Sequence, residues 1–365
     1  MTTVGIVGLG VMGLGIAQVL AGAGFDVLAT DARAEAREGA VERLRIQVAR
    51  TGGDAEAVAA RLSLVDGPEA MGAADLVIEA IAEDLPAKRA LFATLEEAVA
   101  PGAVLATNTS SLAVGRIAAG LRHPGRVVGL HFFNPAPVQR LVELICHAGT
   151  SDDAAATARK LAEMAGQEVI EAPDRPGFIV NRCARPFYGE ALALLEEGRG
   201  PAEIDAAMLA AGYRIGPLSL IDLIGADVNL AATRSVAEAM DGHPRYHVFA
   251  TLERQVAAGA LGRKAGRGFL FPERPGAPPP DSDTIAARIE AALVNEAGWL
   301  LSEGGVTAEA IDRATRLALN WPRGPFDILA ARGGAAIRAT LAALESRAPA
   351  HLRGRYAPAP VLEAT

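Results

Sequence analysis

An uncharged, glycine-rich run near the amino terminus constrains the fold of this chain more than any other stretch. Residues 4–25 contain no charged side chain, and Gly8, Gly10 and Gly13 form the pattern Gly-x-Gly-x-x-Gly inside this run. The apolar residues before Gly8 predict a buried strand, and those after Gly13 predict a helix. In such a unit the glycines allow a tight turn and a close approach to a pyrophosphate, which the helix N-terminus then faces. The run therefore predicts a dinucleotide-binding strand, loop and helix.

A membrane-spanning segment or signal peptide is the alternative interpretation, because the same run is long enough to cross a bilayer. Glycines interrupt the run, no basic residue precedes it, and Asp26 follows it directly. A signal peptide needs a positive start and a plain apolar middle. We therefore expect a buried strand and helix, and no membrane segment.

The acid that follows the second predicted strand indicates which dinucleotide binds. The second predicted strand runs from Phe25 to Thr30, and Asp31 closes it. Its carboxylate can accept hydrogen bonds from a ribose 2′-hydroxyl, but it repels a 2′-phosphate. Arg33 is near enough in sequence to weaken that repulsion, yet the acid favours NAD over NADP as the cofactor.

A basic, amphipathic segment over residues 33–61 predicts a long helix that is broken at Gly52–Gly53. Its arginines are either a solvated helix face or a place for the phosphates of a substrate. The pattern alone leaves both interpretations open.

Polar residues follow a later apolar strand in the segment ATNTSSL, at positions 108–111. Ligands bind at the carboxyl ends of strands in an open parallel sheet, so this cluster is a candidate site. Asn108 and Ser110 fit equally well as caps for a helix over residues 112–120.

A histidine and a glutamate lie in two short apolar runs within the sequence GLHFFNPAPVQRLVEL. His131 ends the first run, Glu143 lies inside the second, and the two prolines between them predict a turn-rich connection of neighbouring strands. Such a pairing would bring the imidazole and the carboxylate together. A carboxylate that accepts one ring N–H leaves the other nitrogen available as a base. A surface glutamate and a structural histidine are the alternative that the spacing leaves open.

The segment DRPGFIVNRCARPFYGEALALLEEG predicts a helix, with Asp174 as its N-cap and Pro176 in its first turn. Pro186 within the helix predicts a kink. Asn181 lies on this helix among apolar residues, and a buried amide must find hydrogen-bond partners. Those partners are either structural groups or a substrate carbonyl.

The helical pattern then repeats, which indicates an internal duplication. EALALLEEG, which begins at Glu190, resembles EAGWLLSEG, which begins at Glu296. This register places Ala287 opposite Asn181. We therefore expect the second copy to lack any chemical role that Asn181 has, and to serve packing. The other matched pairs are Ile204-Asp205 with Ile311-Asp312, and Gly216-Pro217 with Gly324-Pro325.

These patterns divide the chain into four segments. We expect an α/β Rossmann domain with a mostly parallel, doubly wound sheet over residues 1–173, and a first helical unit over residues 174–272. A proline-rich linker over residues 273–282 should be extended and solvated. A second, degenerate helical unit with a tail then covers residues 283–365, so an all-α domain with an internal duplication follows the Rossmann domain.

Charge and cysteine content exclude several classes of partner. The net charge is −8 and the chain has no long basic tract, so we expect no nucleic-acid partner. The two cysteines, Cys146 and Cys183, are too few for a disulfide framework and lack the spacing of a metal site. We therefore expect no metal and a reducing, cytoplasmic location.

Seven pieces of the sequence, taken in chain order, resemble the L-3-hydroxyacyl-CoA dehydrogenase family. The chain is most similar to members that act on 3-hydroxyadipyl-CoA or 3-hydroxybutyryl-CoA in phenylacetate breakdown. The resemblance covers residues 4–271 and returns over residues 291–329. It implies NAD-dependent oxidation of an L-3-hydroxyacyl-CoA to the 3-ketoacyl-CoA, in fatty acid β-oxidation or phenylacetate catabolism. The pieces are GLGVMGLGIA, VIEAIAEDLPAKRALF, ATNTSSL, RVVGLHFFNPAPVQRLVEL, RPGFIVNR, GPLSLIDLIGADV and LGRKAGRGF.

The resemblance also implies roles for individual residues. The family's catalytic histidine falls on His131 and its partner glutamate on Glu143, which favours the catalytic interpretation of this pair. The residues that hold the substrate's oxygen fall on Ser110 and Asn181. The implied contacts to NAD are Gly8, Gly10, Val11, Met12, Gly13, Asp31, Glu83, Lys88 and Asn108.

One departure from the family concerns the helical copies. Longer relatives have a sizeable segment between them, whereas this chain has only the proline-rich linker. Dimers of the family bury their helical domains together. The chain is therefore expected either to form a homodimer or to be a pseudo-dimeric monomer, in which the second copy replaces the partner.

Three other classes share parts of this pattern. The 3-hydroxyisobutyrate and 6-phosphogluconate dehydrogenases also open with sequences like GIVGLGVMG, but they use a lysine, and the pieces HFFNP and FIVNR argue against them. Gulonate and carnitine dehydrogenases share the fold and oxidise a free hydroxy acid. A protein that binds NAD without turnover is the third class, although all four catalytic residue types are present.

Overall fold

The computed structural model describes residues 2–363 and contains two compact units. The first unit ends at Phe178 and the second begins at Ile179. The sequence predicts this border slightly earlier, between residues 173 and 174.

The first unit is built on one eight-stranded sheet with the strand order β3-β2-β1-β4-β5-β6-β7-β8. Its first six strands follow the order of doubly wound dinucleotide-binding folds. Within the described residues, every neighbouring pair is parallel except β6 and β7. The strands are β1 (Thr3–Val7), β2 (Asp26–Thr30), β3 (Leu62–Leu64), β4 (Leu76–Glu79), β5 (Val104–Thr107), β6 (Val127–Phe132), β7 (Leu141–Cys146) and β8 (Glu168–Pro173).

Helices accompany this sheet, and the central strands are buried along their whole length. Every residue of β4, β5 and β6 is buried, which explains why these segments read as unbroken apolar runs rather than alternating ones. The carboxyl ends of β1, β4, β5 and β6 therefore lie along one edge of a rigid sheet. The helices are α1 (Val11–Gly22), α2 (Ala34–Glu38), α3 (Ala40–Arg50), α4 (Ala55–Ala59), α5 (Leu85–Ala98), α6 (Val114–Ala118) and α7 (Asp152–Met164).

The prediction of one long helix over residues 33–61 is wrong in its continuity. The segment forms the three helices α2, α3 and α4, and the chain breaks not only at Gly52–Gly53 but also at Gly39. Gly39 ends α2 and begins α3 with φ −87° and ψ 0°, which departs from helical geometry.

The cap interpretation of Asn108 and Ser110 and the predicted N-cap at Asp174 are also wrong. Asn108 and Ser110 cap no helix, because α6 begins only at Val114. The carboxylate of Asp174 accepts hydrogen bonds of 2.8 Å from the backbone N–H groups of Val114 and Gly115, so it satisfies the first turn of α6 instead of starting the next helix.

The helix that Asp174 was expected to cap starts later because of the backbone around residue 178. Gly177 has φ 74° and Phe178 has φ 48°, and left-handed residues do not continue into a right-handed helix. The helix α8 therefore begins at Val180, and Pro186 lies inside it.

The second unit is helical and its elements repeat in order. The helices α8 to α11 of the first copy correspond to α13 to α16 of the second, which confirms the predicted duplication. The helices are α8 (Val180–Glu196), α9 (Pro201–Ala210), α10 (Pro217–Ile224), α11 (Ala226–Ala239), α12 (Ala250–Ala257), α13 (Ser282–Ser302), α14 (Ala308–Leu319), α15 (Pro325–Arg332), α16 (Gly334–Arg347) and α17 (Pro360–Glu363).

The same local device positions the third helix of each copy. Asp205 accepts hydrogen bonds of 2.9 and 2.8 Å from two backbone N–H groups in the first turn of α10. Asp312 accepts equivalent bonds of 2.8 and 3.0 Å from the first turn of α15. A Cβ on Gly216 or Gly324 would lie 2.2 or 2.3 Å from the carboxyl carbon of the aspartate, so glycine is needed there. In each copy, the Ile-Asp pair and the Gly-Pro pair thus form the cap of one helix together.

Buried ion pairs join the two copies with approximate two-fold symmetry. Arg182 of the first copy pairs with Glu296 and Glu303 of the second, at 2.7 and 2.6 Å. Arg288 of the second copy pairs in the same way with Glu190 and Glu197 of the first, at 2.9 and 2.6 Å.

Each buried glutamate receives two further donors from the opposite copy. Arg245 and Tyr246 donate hydrogen bonds to Glu296, while Arg355 and Tyr356 donate hydrogen bonds to Glu190. A contact in which equivalent residues exchange roles is the signature of a two-fold interface. This interface lies within one chain.

The charge of Glu190 is expected to contribute to the stability of the second unit. Burial by itself raises the pKa of Glu190, but Arg355 and Arg288 outweigh burial and hold the pKa below its ordinary value of 4.5. The carboxylate therefore stabilises the fold above pH 4.5, and this contribution is lost as the pH falls through the lower folded pKa. We expect Glu190→Gln to lower the free energy of unfolding by about 3–5 kcal/mol at neutral pH, and by less in acid.

Urea unfolding at several pH values checks this prediction. Both tryptophans, Trp299 and Trp321, lie in the second unit, so their fluorescence reports on that unit. Glu253→Gln is the matched control, because Glu253 is half-exposed and pairs with Arg234 on the surface. Its effect should stay below about 1 kcal/mol. A loss that is the same at every pH would contradict the role of the Glu190 charge.

Candidate active site

The glycine loop follows β1 at the point where the strand order reverses between β1 and β4. Gly8 has φ 102°, and a Cβ there would lie 2.5 Å from the carbonyl oxygen of Ala80, which follows β4. Only glycine fits this conformation and this close approach. Ligands of doubly wound sheets bind in the crevice at such a reversal.

The other two motif glycines have different surroundings. A Cβ on Gly13 would lie 1.7 Å from the carbonyl oxygen of Gly8, so helix α1 packs directly against the loop. A Cβ on Gly10 would meet nothing within 4 Å, so the space before the N-terminus of α1 is open. Val11 is 72% exposed there, and Met12 is half-buried. Open space before the unpaired N–H groups of a helix fits a pyrophosphate.

Asp31 lies immediately after β2 and is tied to the loop. Its Oδ2 accepts a hydrogen bond of 2.8 Å from the backbone N–H of Leu9. Its Oδ1 accepts hydrogen bonds from the backbone N–H and the Nε of Arg33, at 2.9 and 3.2 Å. Burial raises the pKa of Asp31, but Arg33 and the backbone donors outweigh it and keep the pKa below its usual value. The carboxylate is thus ionised and able to accept hydrogen bonds from a ribose.

A buried network of charges lies beyond the ends of β4 and β5. Glu79 is fully buried, and it accepts hydrogen bonds of 2.6 Å from the Nζ of Lys88 and 2.7 Å from the hydroxyl of Thr107. The ammonium of Lys88 also lies 3.2 Å from the Oε2 of Glu83. Lys88 is therefore held between two carboxylates, which offsets the cost of burying its charge.

Glu83 in turn holds the loop that carries Ser110. Its Oε1 accepts hydrogen bonds from the hydroxyls of Thr109 and Ser111, and bonds of 3.1 Å from the backbone N–H groups of Ser110 and Ser111. Burial raises the pKa of Glu83, but Lys88 and the two hydroxyls outweigh it and hold the pKa below its usual value. One carboxylate thus orients three consecutive residues.

Asn108 joins this loop to the next strand. Its Oδ1 accepts a hydrogen bond of 2.8 Å from the backbone N–H of Phe132, at the end of β6. The polar groups after β4, β5 and β6 are therefore linked side by side, as parallel strands predict.

His131 and Glu143 face each other across the antiparallel pair β6 and β7. They are register partners, and the Nδ1 of His131 lies 2.7 Å from the Oε2 of Glu143. An ionised carboxylate only accepts hydrogen bonds, so this contact requires a proton on Nδ1. The rings of Phe133 and Phe178 lie 4.4 and 5.7 Å from the imidazole. The described residues offer no hydrogen-bond partner to Nε2 of His131, which leaves its lone pair available.

Asn181 lies in the second unit, near the start of α8. Its side chain is half-buried, and its backbone carbonyl accepts a hydrogen bond of 3.0 Å from the Nε of Arg185. The structure thus brings twelve of the thirteen predicted site residues into the first unit and places Asn181 in the second.

Glu79 and Thr107 belong to the network that holds Lys88, and the sequence prediction missed both. Both lie at the carboxyl end of a fully buried strand. An acid inside the apolar segment ADLVIEAIAED, nine positions before a lysine, was the available signal.

Across residues 2–363, no group of three or more His, Cys, Asp or Glu side chains is arranged to hold a metal ion. No helix in that range is both long enough and apolar enough to span a bilayer.

The doubly wound sheet, the glycine loop with its acid and the buried His–Glu pair together define an NAD-dependent dehydrogenase. The sequence matches "3-hydroxyacyl-CoA dehydrogenase, NAD binding domain" over residues 3–175. It matches "3-hydroxyacyl-CoA dehydrogenase, C-terminal domain" over residues 177–271 and again over residues 285–365. The chain therefore belongs to the 3-hydroxyacyl-CoA dehydrogenase family.

Individual relatives agree with this assignment. The chain is 44% identical over 275 residues to the 3-hydroxyadipyl-CoA dehydrogenase of Escherichia coli strain K12, which covers 73% of this chain and 58% of that protein. It is 41% identical over 273 residues to a probable 3-hydroxybutyryl-CoA dehydrogenase of Bacillus subtilis strain 168, covering 72% and 95%. The crystal structure of an Escherichia coli 3-hydroxybutyryl-CoA dehydrogenase superposes with a TM-score of 0.90 at 33% identity, covering 100% of this chain and 98% of that one.

These matches confirm the family, the fold class and the NAD-dependent dehydrogenase class that the sequence predicts. The chain aligns with 58% of the length of the 3-hydroxyadipyl-CoA dehydrogenase, which is less than two thirds.

The contacts of Asp31 lead to a prediction about cofactor choice. In Asp31→Ala the ribose loses its acceptor and the guanidinium of Arg33 is released to meet a 2′-phosphate. We expect the affinity for NADH to fall roughly 10-fold or more, and the preference to shift toward NADPH. Fluorescence titration with both reduced cofactors measures the change.

Asp26→Ala is the matched control for this experiment, because Asp26 is the first residue of β2, at the end opposite Asp31, and pairs with Arg61. It should leave both affinities unchanged. An unchanged ratio of NADH to NADPH affinity in Asp31→Ala would remove Asp31 from the cofactor site.

Proposed function

We propose that this chain catalyses the reversible, NAD-dependent oxidation of an L-3-hydroxyacyl-CoA to the 3-ketoacyl-CoA. The contact between His131 and Glu143 is the observation that carries the proposal. It presents a buried imidazole whose Nδ1 is held by a carboxylate and whose Nε2 is available, at the end of the strand where the ligands of this fold bind.

The proposed reaction moves one proton and one hydride. Nε2 of His131 takes the proton of the 3-hydroxyl as the carbonyl forms at C3, and Glu143 stabilises the imidazolium that results. Bound NAD supplies the acceptor for the hydride that leaves C3. In the reverse direction, the imidazolium returns the proton to the oxygen at C3.

Ser110 and Asn181 are proposed to bind the substrate by hydrogen bonds to its C3 oxygen and its thioester carbonyl. Support for Ser110 comes from its rigid loop, whose backbone Glu83 fixes. Support for Asn181 comes from its half-buried position on α8 and from its absence in the second copy, where alanine stands at position 287.

The proposed contacts to NAD come from two places in the first unit. The loop at Gly8, Gly10, Val11, Met12 and Gly13 would hold the pyrophosphate, and Asp31 would hold the adenosine ribose. Glu83, Lys88 and Asn108 would meet the nicotinamide half. Because the Oδ1 of Asn108 is already engaged by Phe132, its NH₂ group is the part that remains to donate.

Oxidation of a free hydroxy acid is the alternative, and it has less support, since the relatives reported above are named for CoA thioesters. A role in fatty acid β-oxidation or phenylacetate catabolism, in the cytoplasm, forms part of the proposal. It rests on the resemblance of the sequence to the family and on the two free cysteines.

We also propose that the chain is a pseudo-dimeric monomer rather than a homodimer. The exchanged ion pairs of Arg182 and Arg288 occupy the face that a two-fold partner would need. Light scattering coupled to size exclusion should therefore give the mass of one chain. A stable dimer of this chain in solution would contradict this part of the proposal.

Substitution of the His–Glu pair tests the catalytic assignment. We expect His131→Ala to lower kcat by roughly 10²–10⁴ with little change in NADH affinity. Glu143→Gln should also lower kcat, because a glutamine can accept the Nδ1–H bond but does not stabilise the imidazolium. Reduction of acetoacetyl-CoA, followed by NADH absorbance, measures both effects.

His123→Ala is the control, because His123 is exposed in the same unit. It should keep the wild-type rate. Near-normal turnover by His131→Ala would refute the assignment of His131 as the base, and wild-type turnover of gulonate or carnitine instead of the thioester would refute the substrate class.

A further inference from the structure

Arg185, on α8, is a buried arginine without a carboxylate partner. It is 8% exposed, and its hydrogen bonds run from Nε to the carbonyl of Asn181 and from Nη1 to the hydroxyl of Thr233, at 3.0 and 3.1 Å. Within residues 2–363, no carboxylate lies at ion-pair distance from it. The other buried arginines of this range, Arg126, Arg182, Arg288 and Arg355, each lie within 4.0 Å of a carboxylate oxygen.

Asn229, on α11, is a second unsatisfied group in the same place. It is 1% exposed, and neither its side-chain oxygen nor its side-chain nitrogen has a hydrogen-bond partner among the described residues. The hydroxyl of Thr233, which accepts from Arg185, donates to the backbone carbonyl of Asn229 at 2.8 Å. Asn229 and Thr233 are one turn apart and share a face of α11. Buried polar groups without partners are rare in folded proteins and need an explanation.

The second copy shows that the fold does not require this polar cluster. The register of α8 against α13 places Ala287 at the position of Asn181 and Ala291 at that of Arg185. Gly225 precedes α11 and Gly333 precedes α16, which aligns the two helices. In this alignment Ile337 occupies the position of Asn229, and Leu341 occupies that of Thr233.

Ala291, Ile337 and Leu341 are all buried, so the second copy uses an apolar core where the first copy has Arg185, Asn229 and Thr233. The interface residues show the opposite pattern. Arg182 and Glu190 recur unchanged as Arg288 and Glu296. The cluster is therefore a feature of the copy that carries Asn181.

We propose that Arg185 and Asn229 form a subsite for a carboxylate at the far end of the acyl group, so that the preferred substrate is the CoA thioester of a 3-hydroxy dicarboxylic acid. The inference rests on the proposed function, because it concerns the acyl chain whose C3 oxygen Asn181 is proposed to bind. The guanidinium donates to the carboxylate through its unused N–H groups, and the amide of Asn229 adds a neutral donor.

The spacing on α8 suits such a substrate. Asn181 and Arg185 are four residues apart, a rise of roughly 6 Å along the helix. In a six-carbon dicarboxylyl thioester the distal carboxylate is three carbons beyond C3, and the long side chain of Arg185 can cover the difference between that span and the helical rise. Monocarboxylic acyl groups end in a methyl and would leave the guanidinium without an anion.

Electrostatics favour an anion at this position. Burial lowers the pKa of Arg185, and the Coulombic interaction with Tyr188 opposes that shift only in part. The guanidinium carbon lies 5.0 Å from the centroid of the Tyr188 ring. A desolvated charge without a counter-ion is costly, and a bound carboxylate would supply the missing partner.

A matched pair of substrates tests the subsite. The wild-type protein should reduce 3-ketoadipyl-CoA with a kcat/KM roughly 10- to 100-fold above that for 3-ketohexanoyl-CoA, which has the same chain length without the carboxylate. In Arg185→Met this ratio should fall to near one, chiefly through a higher KM for 3-ketoadipyl-CoA. Arg185→Lys should keep part of the preference, and Asn229→Leu should lower it less than Arg185→Met does.

Arg234→Met is the matched control, because Arg234 is exposed on the same helix as Thr233 and pairs with Glu253. It should leave the substrate ratio unchanged. Circular dichroism shows whether Arg185→Met folds. If it does not, the ratio of the two kcat/KM values is measured in Arg185→Lys and Asn229→Leu instead. A wild-type ratio in both of these variants overturns the proposal.

Two further outcomes separate this inference from the proposed function. An equal loss for both thioesters in Arg185→Met, or a wild-type preference for 3-ketohexanoyl-CoA, refutes the carboxylate subsite and leaves the dehydrogenase function standing. If the wild-type protein reduces none of the three thioesters (acetoacetyl-CoA, 3-ketoadipyl-CoA and 3-ketohexanoyl-CoA), both proposals are refuted.

Discussion

The pairing of β6 with β7 is the constraint on which the candidate chemistry depends. The sheet is parallel up to β6, and the reversal at β7 lets a glutamate enter from the opposite direction and meet His131 in register. Glu143 is fully buried, and a buried carboxylate is costly unless its hydrogen bonds are satisfied. The histidine thus stabilises the glutamate while the glutamate orients the histidine. A shift of one residue in the strand register would turn one side chain to the other face of the sheet and would separate them.

Much of the first unit could be predicted from its sequence, because its signals are local. Apolar runs mark the buried strands, and the spacing of Gly8, Gly10 and Gly13 marks the loop between β1 and α1. The His–Glu pair was only half predictable. The two runs and their prolines indicate neighbouring strands, but the register that joins the two side chains depends on the turn, which spacing alone does not determine.

Features that depend on distant partners escaped prediction. Asp174 looks like the cap of the helix that follows it, yet it caps α6, which lies far earlier in the chain. Glu79 reads as one acid in an apolar strand until Lys88 and Thr107 are seen around it. Arg185 is a further case, because a missing counter-ion becomes visible only when every neighbour is known.

The duplicated helical unit has one further consequence. The family's NAD-binding domain occurs once in this chain, over residues 3–175, whereas the helical domain occurs twice. A symmetric assembly of two identical subunits has two equivalent catalytic centres that can influence each other. If the chain is the monomer proposed above, it has one such centre and no equivalent neighbour, so its saturation curves should be hyperbolic, without homotropic cooperativity.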